Sequence, residues 1–191
     1  MRIPIGISNR HIHLSMEDAN TLFGKDYNFE KMKDISQPGQ YACQETVTIK
    51  WPKWEIKNVR VLLPFRKHSQ VEILRSDNYI LWINAPIRLS GDLKRSERLT
   101  VIGPKWKIDL INGVIVAKRH LHITVAEAKE MKLKDWQNIS IKTHGERWLV
   151  FENVVVRAKD DYTLDFHIDI DEANAAGLNP GDWGEIISMN N

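Results

Sequence analysis

The chain has 191 residues, a mass of 22.2 kDa and a net charge of +2, with 27 basic and 25 acidic side chains. This length allows one domain or two small ones and excludes a large multidomain protein. The basic residues do not cluster, so we expect no nucleic-acid binding and no membrane binding. A single cysteine excludes an internal disulfide framework, and no signal-peptide pattern is visible, so we expect a cytoplasmic protein.

The first half of the chain predicts a strand, a His-x-His motif, a short helix and then several strands. Ser15 and Asp18 have the spacing of a capping box, and Gly24 is expected to end the helix. Alternating apolar and polar residues, bounded by turn formers, predict strands at residues 46–49, 59–62, 70–73, 99–102 and 114–116.

The second half repeats this order. Thr124 and Glu127 have the capping-box spacing, and a further helix is predicted from Asp171, as N-cap, to Gly177. Strands are predicted at residues 139–142, 154–156 and 164–167. Short alternating strands favour antiparallel barrels or sandwiches over βαβ units.

An internal repeat underlies the common order of the two halves. Residues 10–15 (RHIHLS) reappear as residues 119–124 (RHLHIT), and a second match aligns residues 70–73 with residues 165–168. The second alignment puts Glu72 and His167 at equivalent places. The repeat therefore predicts two related halves with related sites.

Histidines in these repeats suggest metal binding. Residues i and i+2 of a strand face the same way, so each His-x-His pair can present two imidazoles to one ion. A single pair is weak evidence, because exposed histidines on a strand need no metal. Repetition strengthens the prediction, and five imidazoles with one carboxylate suit two zinc ions, with cobalt and manganese left open. The predicted ligands are His11, His13, Glu72, His120, His122 and His167.

Two further side chains have possible chemical roles. Arg66 lies six residues before Glu72 and could bring a planar donor fork to a phosphate or carboxylate; a surface role is the alternative. Cys43 could be an acyl-transfer nucleophile, but a buried small hydrophobic residue is the favoured interpretation.

Several motifs, in this order, together resemble one family. They are SNRHIHLS (residues 8–15), QPGQ (37–40), QVE (70–72), SGDL (90–93), GVIVAKRHLH (113–122) and HIDIDEANAA (167–176). The chain resembles the PduL-type phosphate acyltransferases, also called phosphotransacylases or phosphate propanoyltransferases, over nearly its whole length.

The resemblance implies a fold and a reaction. The fold is mainly β, with two six-stranded antiparallel β-barrels related by internal duplication and capped by short α-helices. One domain would contain residues 10–117, and the other residues 1–9 and 118–191. The reaction is acyl-CoA plus phosphate giving acyl phosphate plus CoA, reversibly, with acetyl or propionyl groups, in a dimer or larger assembly.

The same resemblance implies roles for individual residues. The six predicted ligands match positions that hold two zinc ions, and Arg66 matches a phosphate-binding arginine. Five residues fall in motifs that line the CoA side of the family's site: Ser8, Asn9, Arg10, Gln40 and Asn174.

Departures from the family and rival functions complete the sequence-based expectations. The chain lacks the amino-terminal extension of encapsulated members, so we expect a free cytoplasmic enzyme rather than one in a microcompartment lumen. Trp54, Trp82 and Trp106 stand near places where the family often has glycine, and would reshape the acyl or CoA surface.

Two rival functions stay open at this point. One is a di-zinc hydrolase of a thioester, phosphoester or amide, and the other is a non-catalytic metal-binding or scaffold protein.

Overall fold

A computed structural model of the chain describes the backbone of residues 2–190 and the side chains of residues 2–188. In this part the chain forms two compact units. The amino-terminal unit contains residues 10–35 and 39–117; the carboxy-terminal unit contains residues 2–9, 36–38 and 118–190. Residues 36–38 thus lie in the unit opposite to the one expected, and the identity of the units as independent domains stays a prediction.

The amino-terminal unit is built mainly from strands. Its elements are β2 (His11–His13), α1 (Met16–Phe23), β3 (Lys31–Asp34), β4 (Tyr41–Trp51), β5 (Trp54–Leu63), β6 (Gln70–Ile73), α2 (Asp77–Leu81), β7 (Ile87–Arg88), β8 (Glu97–Ile102) and β9 (Lys107–Ala117). Six of them close a barrel in the order β4-β5-β2-β6-β9-β8, because β8 pairs with both β9 and β4. β3 and β7 add to β4 and β9 outside this ring.

The carboxy-terminal unit also closes a six-stranded barrel, in the order β1-β13-β10-β12-β11-β14. Its elements are β1 (Ile3–Ser8), β10 (His120–Ile123), α3 (Val125–Glu130), β11 (Asn138–Thr143), β12 (Val150–Ala158), β13 (Asp165–Asp169), α4 (Ile170–Ala176) and β14 (Trp183–Asn190). The expectation of a mainly β fold with two six-stranded barrels and short helices is confirmed.

Strand direction is the part of the fold expectation that needs correction. Each ring contains two parallel pairs among the described residues: β2–β5 and β6–β9 in one, β10–β12 and β1–β13 in the other. The barrels are therefore mixed rather than purely antiparallel. The strand that precedes each His-x-His motif belongs to the barrel of the other unit. β1 precedes the motif of β2 but lies in the carboxy-terminal barrel, and β9 precedes the motif of β10 but lies in the amino-terminal barrel. β1 and β9 therefore occupy equivalent places in the two barrels.

The helix ends follow the predicted capping chemistry with one shift. The Ser15 side chain caps α1 by accepting from the Asp18 backbone N–H, and Thr124 and Glu127 form the predicted capping box of α3. α4 begins after Asp169 rather than Asp171, because the Asp169 carboxylate accepts from the backbone N–H of Glu172, whose side chain accepts in return. The sequence patterns do not predict α2.

Each barrel has its own apolar core, which fixes the direction of the His-x-His side chains. Ile12 and Leu121, the middle residues of the two motifs, are fully buried in the two cores. Because side chains alternate along a strand, the flanking histidines turn to the opposite face. Among the described residues, no helix is long and apolar enough to cross a membrane.

Candidate functional site

The first cluster of possible ligands joins β2 and β6 in the amino-terminal unit. Antiparallel pairing sets His11 opposite Glu72 and His13 opposite Gln70. His11, His13 and Glu72, which we call the Glu72 cluster, are buried and each offer a ligand atom within 4.8 Å of the others. The Nε2 atoms of His11 and His13 lie 3.5 Å and 3.9 Å from the Glu72 carboxylate oxygens.

Glu72 is held as an anion by its neighbours. The Gln70 side-chain amide donates to Glu72 Oε1 at 2.5 Å, and the Ser90 hydroxyl donates to the same oxygen at 2.9 Å. Burial would raise the pKa of Glu72, but His11, His13, Arg66 and the Ser90 hydrogen bond outweigh it and lower the pKa to about 2. Glu72 is therefore ionised at neutral pH, as a metal ligand must be.

Arg66 lies at the edge of the Glu72 cluster. Its Nη2 is 2.8 Å from His13 Nε2, and its Nη1 donates to Ser90 Oγ at 2.7 Å. A guanidinium has only donors, so His13 Nε2 is the acceptor and carries a lone pair. Burial, His11 and Arg66 lower the pKa of His13 well below its usual value, which keeps this imidazole neutral.

The second cluster joins β10 and β13 in the carboxy-terminal unit. His120 lies opposite His167, and His122 opposite Asp165. His120, His122 and His167, which we call the His167 cluster, bring one ligand atom each within 4.8 Å of the others. The register confirms that His167 occupies the place that Glu72 has in the other unit.

Hydrogen bonding in the His167 cluster assigns the tautomer of His120 and, in the part of the chain that the structure describes, leaves a ring nitrogen of His122 without a partner. His120 Nδ1 lies 2.8 Å from the Lys118 carbonyl, which assigns the proton to Nδ1 and the lone pair to Nε2. His122 Nδ1 is buried and has no hydrogen-bond partner among the described residues. Burial, then His120 and His167, lower the pKa of His122 to about 3, so it is neutral at pH 7.

Both clusters fit a divalent metal by the chemistry of their donors. Neutral imidazoles and an ionised carboxylate are zinc ligands, and three protein ligands leave a position for water or substrate in catalytic sites. The unpartnered nitrogen of His122 supports this fit, because a buried polar atom without a partner is costly. The assignment of each residue as a ligand stays a prediction.

The arginine before each His-x-His motif has a structural partner in its own unit. Arg10 donates to both oxygens of the buried Asp77, from Nε at 2.8 Å and Nη2 at 2.9 Å. The equivalent Arg119 forms an ion pair of 2.7 Å with Glu172. In both units the arginine thus links the His-x-His strand to a helix. That helix follows the strand that carries the third predicted ligand.

The other residues proposed for CoA lie in both units. Ser8, Asn9 and Asn174 belong to the carboxy-terminal unit, and Gln40, like Arg10, to the amino-terminal unit. Ser8 Oγ donates to the Ile168 carbonyl at 3.4 Å, and Asn174 is exposed on α4. Their contacts with CoA stay a prediction.

Cys43 is fully buried, in agreement with the favoured interpretation of its sequence context. Burial, with a further contribution from Glu45, raises the pKa of its thiol to about 11. A protonated, inaccessible thiol is a poor nucleophile. Cys43 therefore acts as a small apolar residue of the core.

A groove of about 680 Å³ lies beside α2, where the sequence patterns predict no site. Tyr79 and Trp82 line it together with Arg75 and Arg98. Asn78 also lines it, and its side chain is largely buried with Nδ2 unpartnered among the described residues. The groove thus offers aromatic rings and positive charge to a ligand.

Three residues beside the clusters are not predicted by the sequence patterns. Gln70 and Ser90 hold Glu72, and Asp165 lies 3.3 Å from His167. The repeat holds a signal for two of them, since Gln70 and Asp165 stand two residues before the third ligand of each half. Such a position on a strand faces the same side as the ligand.

The lowered pKa of His122 predicts that the chelator-treated protein loses stability in acid. Unfolded histidine takes up a proton near its ordinary pKa of 6.5, whereas folded His122 does so only near 3. The free energy of unfolding should therefore fall as pH drops from about 6.5 towards 3, by at most about 1.4 kcal/mol per pH unit for one such group. Urea unfolding at pH 7, 6, 5 and 4 measures this slope.

The slope should be shallower in His122→Gln than in the unsubstituted protein. His68→Gln, at an exposed position, is the matched control and should keep the original slope. Equal slopes for the unsubstituted protein and His122→Gln would contradict the assignment.

Known proteins resemble this chain in sequence over nearly its whole length. Residues 4–179 match the model of the family described as phosphate propanoyltransferase. A phosphate propanoyltransferase of Thermotoga maritima is 48% identical over 98% of this chain and 90% of its own length. Those of Clostridioides difficile and Citrobacter rodentium are 45% and 49% identical over 97% of this chain, and 88% and 89% of their own lengths. The chain belongs to the phosphate propanoyltransferase family, and is thus an acyltransferase.

Proposed function

We propose that this enzyme interconverts acyl-CoA plus phosphate with acyl phosphate plus CoA, using acetyl or propionyl groups and two zinc ions. The observation that carries the proposal is the pair of three-ligand clusters at repeat-equivalent places, one of them bordered by Arg66. Family membership supports it, because the relatives are named for propanoyl transfer to phosphate.

The proposed reaction balances without an oxidant or reductant. A phosphate oxygen attacks the thioester carbonyl carbon, a C–O bond forms, the C–S bond breaks, and CoA leaves as the thiolate. Phosphate is already anionic at neutral pH, so the attack needs no strong general base. The protein must therefore bind and orient two anions and stabilise negative charge.

His11, His13 and Glu72 would hold one zinc ion, and His120, His122 and His167 the other. When bound, such an ion supplies Lewis acidity towards an oxyanion or a departing thiolate. The lowered pKa values of His13 and His122 keep these imidazoles neutral, which metal binding requires.

Arg66 is the candidate phosphate ligand. Its planar guanidinium suits two phosphate oxygens, and its Nη2 now donates to His13 Nε2. If that nitrogen bound metal instead, Nη2 could donate to a phosphate oxygen in its place. Ser90, which accepts from Nη1, would keep the guanidinium oriented.

For CoA we propose Ser8, Asn9, Arg10, Gln40 and Asn174 as contacts. The groove beside α2 is a candidate for the nucleotide end, because rings such as Tyr79 and Trp82 can stack on a base and Arg75 and Arg98 can pair with phosphate groups. The ion pair with Asp77 would hold the Arg10 side chain in place for this contact. Trp82 departs from the family pattern and lines the groove, so it would influence the fit of CoA.

Location and assembly are further parts of the proposal. We place the enzyme in the cytoplasm as a homodimer or larger homo-oligomer. The single, fully buried cysteine supports a reducing compartment, and the resemblance to the family supports the assembly.

The function predicts thiol release from propionyl-CoA or acetyl-CoA that depends on both phosphate and metal. The purified enzyme is assayed with a thiol reagent, with and without phosphate, before and after chelation and after zinc is restored. Release should appear only with phosphate and metal together. Equal release without phosphate would instead support the rival di-zinc hydrolase.

Arg66→Ala is predicted to weaken the use of phosphate. Hydrogen bonds to charged groups contribute about 1.5–3 kcal/mol, so kcat/KM for phosphate should fall about 10- to 100-fold. Lys67→Ala removes a neighbouring exposed positive charge and is the matched control, expected to stay near the unsubstituted value. Equal losses in the two variants would contradict a specific phosphate contact of Arg66.

A further inference from the structure

Asp165 is a buried carboxylate beside the His167 cluster with no role in the proposed chemistry so far. It lies on β13, two residues before His167, and is 3% exposed. Its Oδ2 is 3.3 Å from His167 Nδ1 and accepts a hydrogen bond of 2.6 Å from Ser36 Oγ. His167 Nδ1 is buried and makes no aligned hydrogen bond among the described residues, so the carboxylate lies within ion-pair distance of an unpartnered nitrogen.

The surrounding chain leaves space for this carboxylate. Gly6 of β1 pairs with His167, and a Cβ atom at Gly6 would come within 2.7 Å of Asp165 Oδ1. A larger residue at Gly6 would therefore displace the carboxylate. Gln37, next to Ser36, is fixed by two hydrogen bonds, from its Nε2 to the Thr163 carbonyl at 3.1 Å and from the Thr163 N–H to its Oε1 at 3.2 Å.

The two clusters differ in where a carboxylate lies. Asp165 lies opposite His122 as Gln70 lies opposite His13. The Glu72 cluster has a carboxylate ligand and a neutral amide beside it, whereas the His167 cluster has only imidazoles and a carboxylate beside them. Each half thus has one carboxylate at these two positions. In the Glu72 cluster it stands at the third ligand position, and in the His167 cluster it stands two residues earlier on the strand.

We propose that Asp165 is the positioning carboxylate of the His167 cluster: it accepts from His167 Nδ1, presents His167 Nε2 to the metal, and supplies the negative charge that the three imidazoles lack. A ligand histidine commonly donates its other ring N–H to a carboxylate, which fixes the tautomer and makes the ligand more basic. The inference rests on the metal sites of the proposed function.

The first test measures metal affinity rather than turnover. Zn²⁺ binding to the whole chain is titrated against a chromophoric chelator of known affinity, in the unsubstituted protein and in Asp165→Asn. One of the two zinc equivalents should bind about 10- to 100-fold more weakly in Asp165→Asn, the usual effect of losing such a partner, with the other unchanged. Asp161→Asn, an exposed acid of the same unit, is the matched control.

Ser36→Ala separates the proposed role from a structural one. If Asp165 only anchors the segment at Ser36, this variant should lose as much zinc affinity as Asp165→Asn. We expect Ser36→Ala to bind both equivalents within a few-fold of the unsubstituted protein. An equal loss in the two variants, or unchanged binding by a folded Asp165→Asn, overturns the proposal.

A second measurement needs no variant at the carboxylate. The ¹⁵N NMR spectrum of the zinc-loaded protein, with His167 assigned from His167→Gln, should show Nδ1 protonated and Nε2 bound to metal. Metal on Nδ1 overturns the proposal. Two zinc equivalents with the expected tautomer but no phosphate-dependent thiol release would contradict the proposed reaction and leave the role of Asp165 supported.

Discussion

Antiparallel pairing of two short strands in each unit is the constraint on which both clusters depend. β2 pairs with β6 so that His11 faces Glu72, and β10 pairs with β13 so that His120 faces His167. A shift of one residue would turn the third ligand to the opposite face of its strand. The buried residues beside the third ligands oppose such a shift, because it would turn Val71 of β6 out of the apolar core.

Burial then determines the charge of the groups that this register brings together. Burial lowers the pKa of His13 and of His122 and keeps these two imidazoles neutral, while neighbouring groups hold Glu72 ionised. The clusters differ in where their negative charge lies: on the predicted ligand Glu72 in one unit, and on Asp165 beside the predicted ligands in the other. The two halves thus share the same arrangement of side chains. They differ in whether the carboxylate stands at the third ligand position or two residues before it.

Features that depend on local sequence or on the repeat are predicted well. The capping side chains of Ser15 and Thr124 mark where two helices begin, and the repeat by itself aligns Glu72 with His167. Features that depend on tertiary pairing are not: which strands pair in parallel depends on the order of strands around each ring, and α2 has no side-chain hydrogen bond at its N-cap. The repeat aligns Asp165 with Gln70, but a strand pattern does not show that its carboxylate lies 3.3 Å from His167 and fills the space beside Gly6.

The central claim is that each unit holds one metal ion and that acyl transfer requires both. The most direct measurement is the zinc content per chain, by mass spectrometry after dialysis, of the unsubstituted protein, His11→Ala and His120→Ala, with phosphate-dependent thiol release measured on the same samples. The account predicts two, one and one zinc equivalents, with release only in the unsubstituted protein. A His120→Ala protein that retains phosphate-dependent release with a single zinc ion would contradict it.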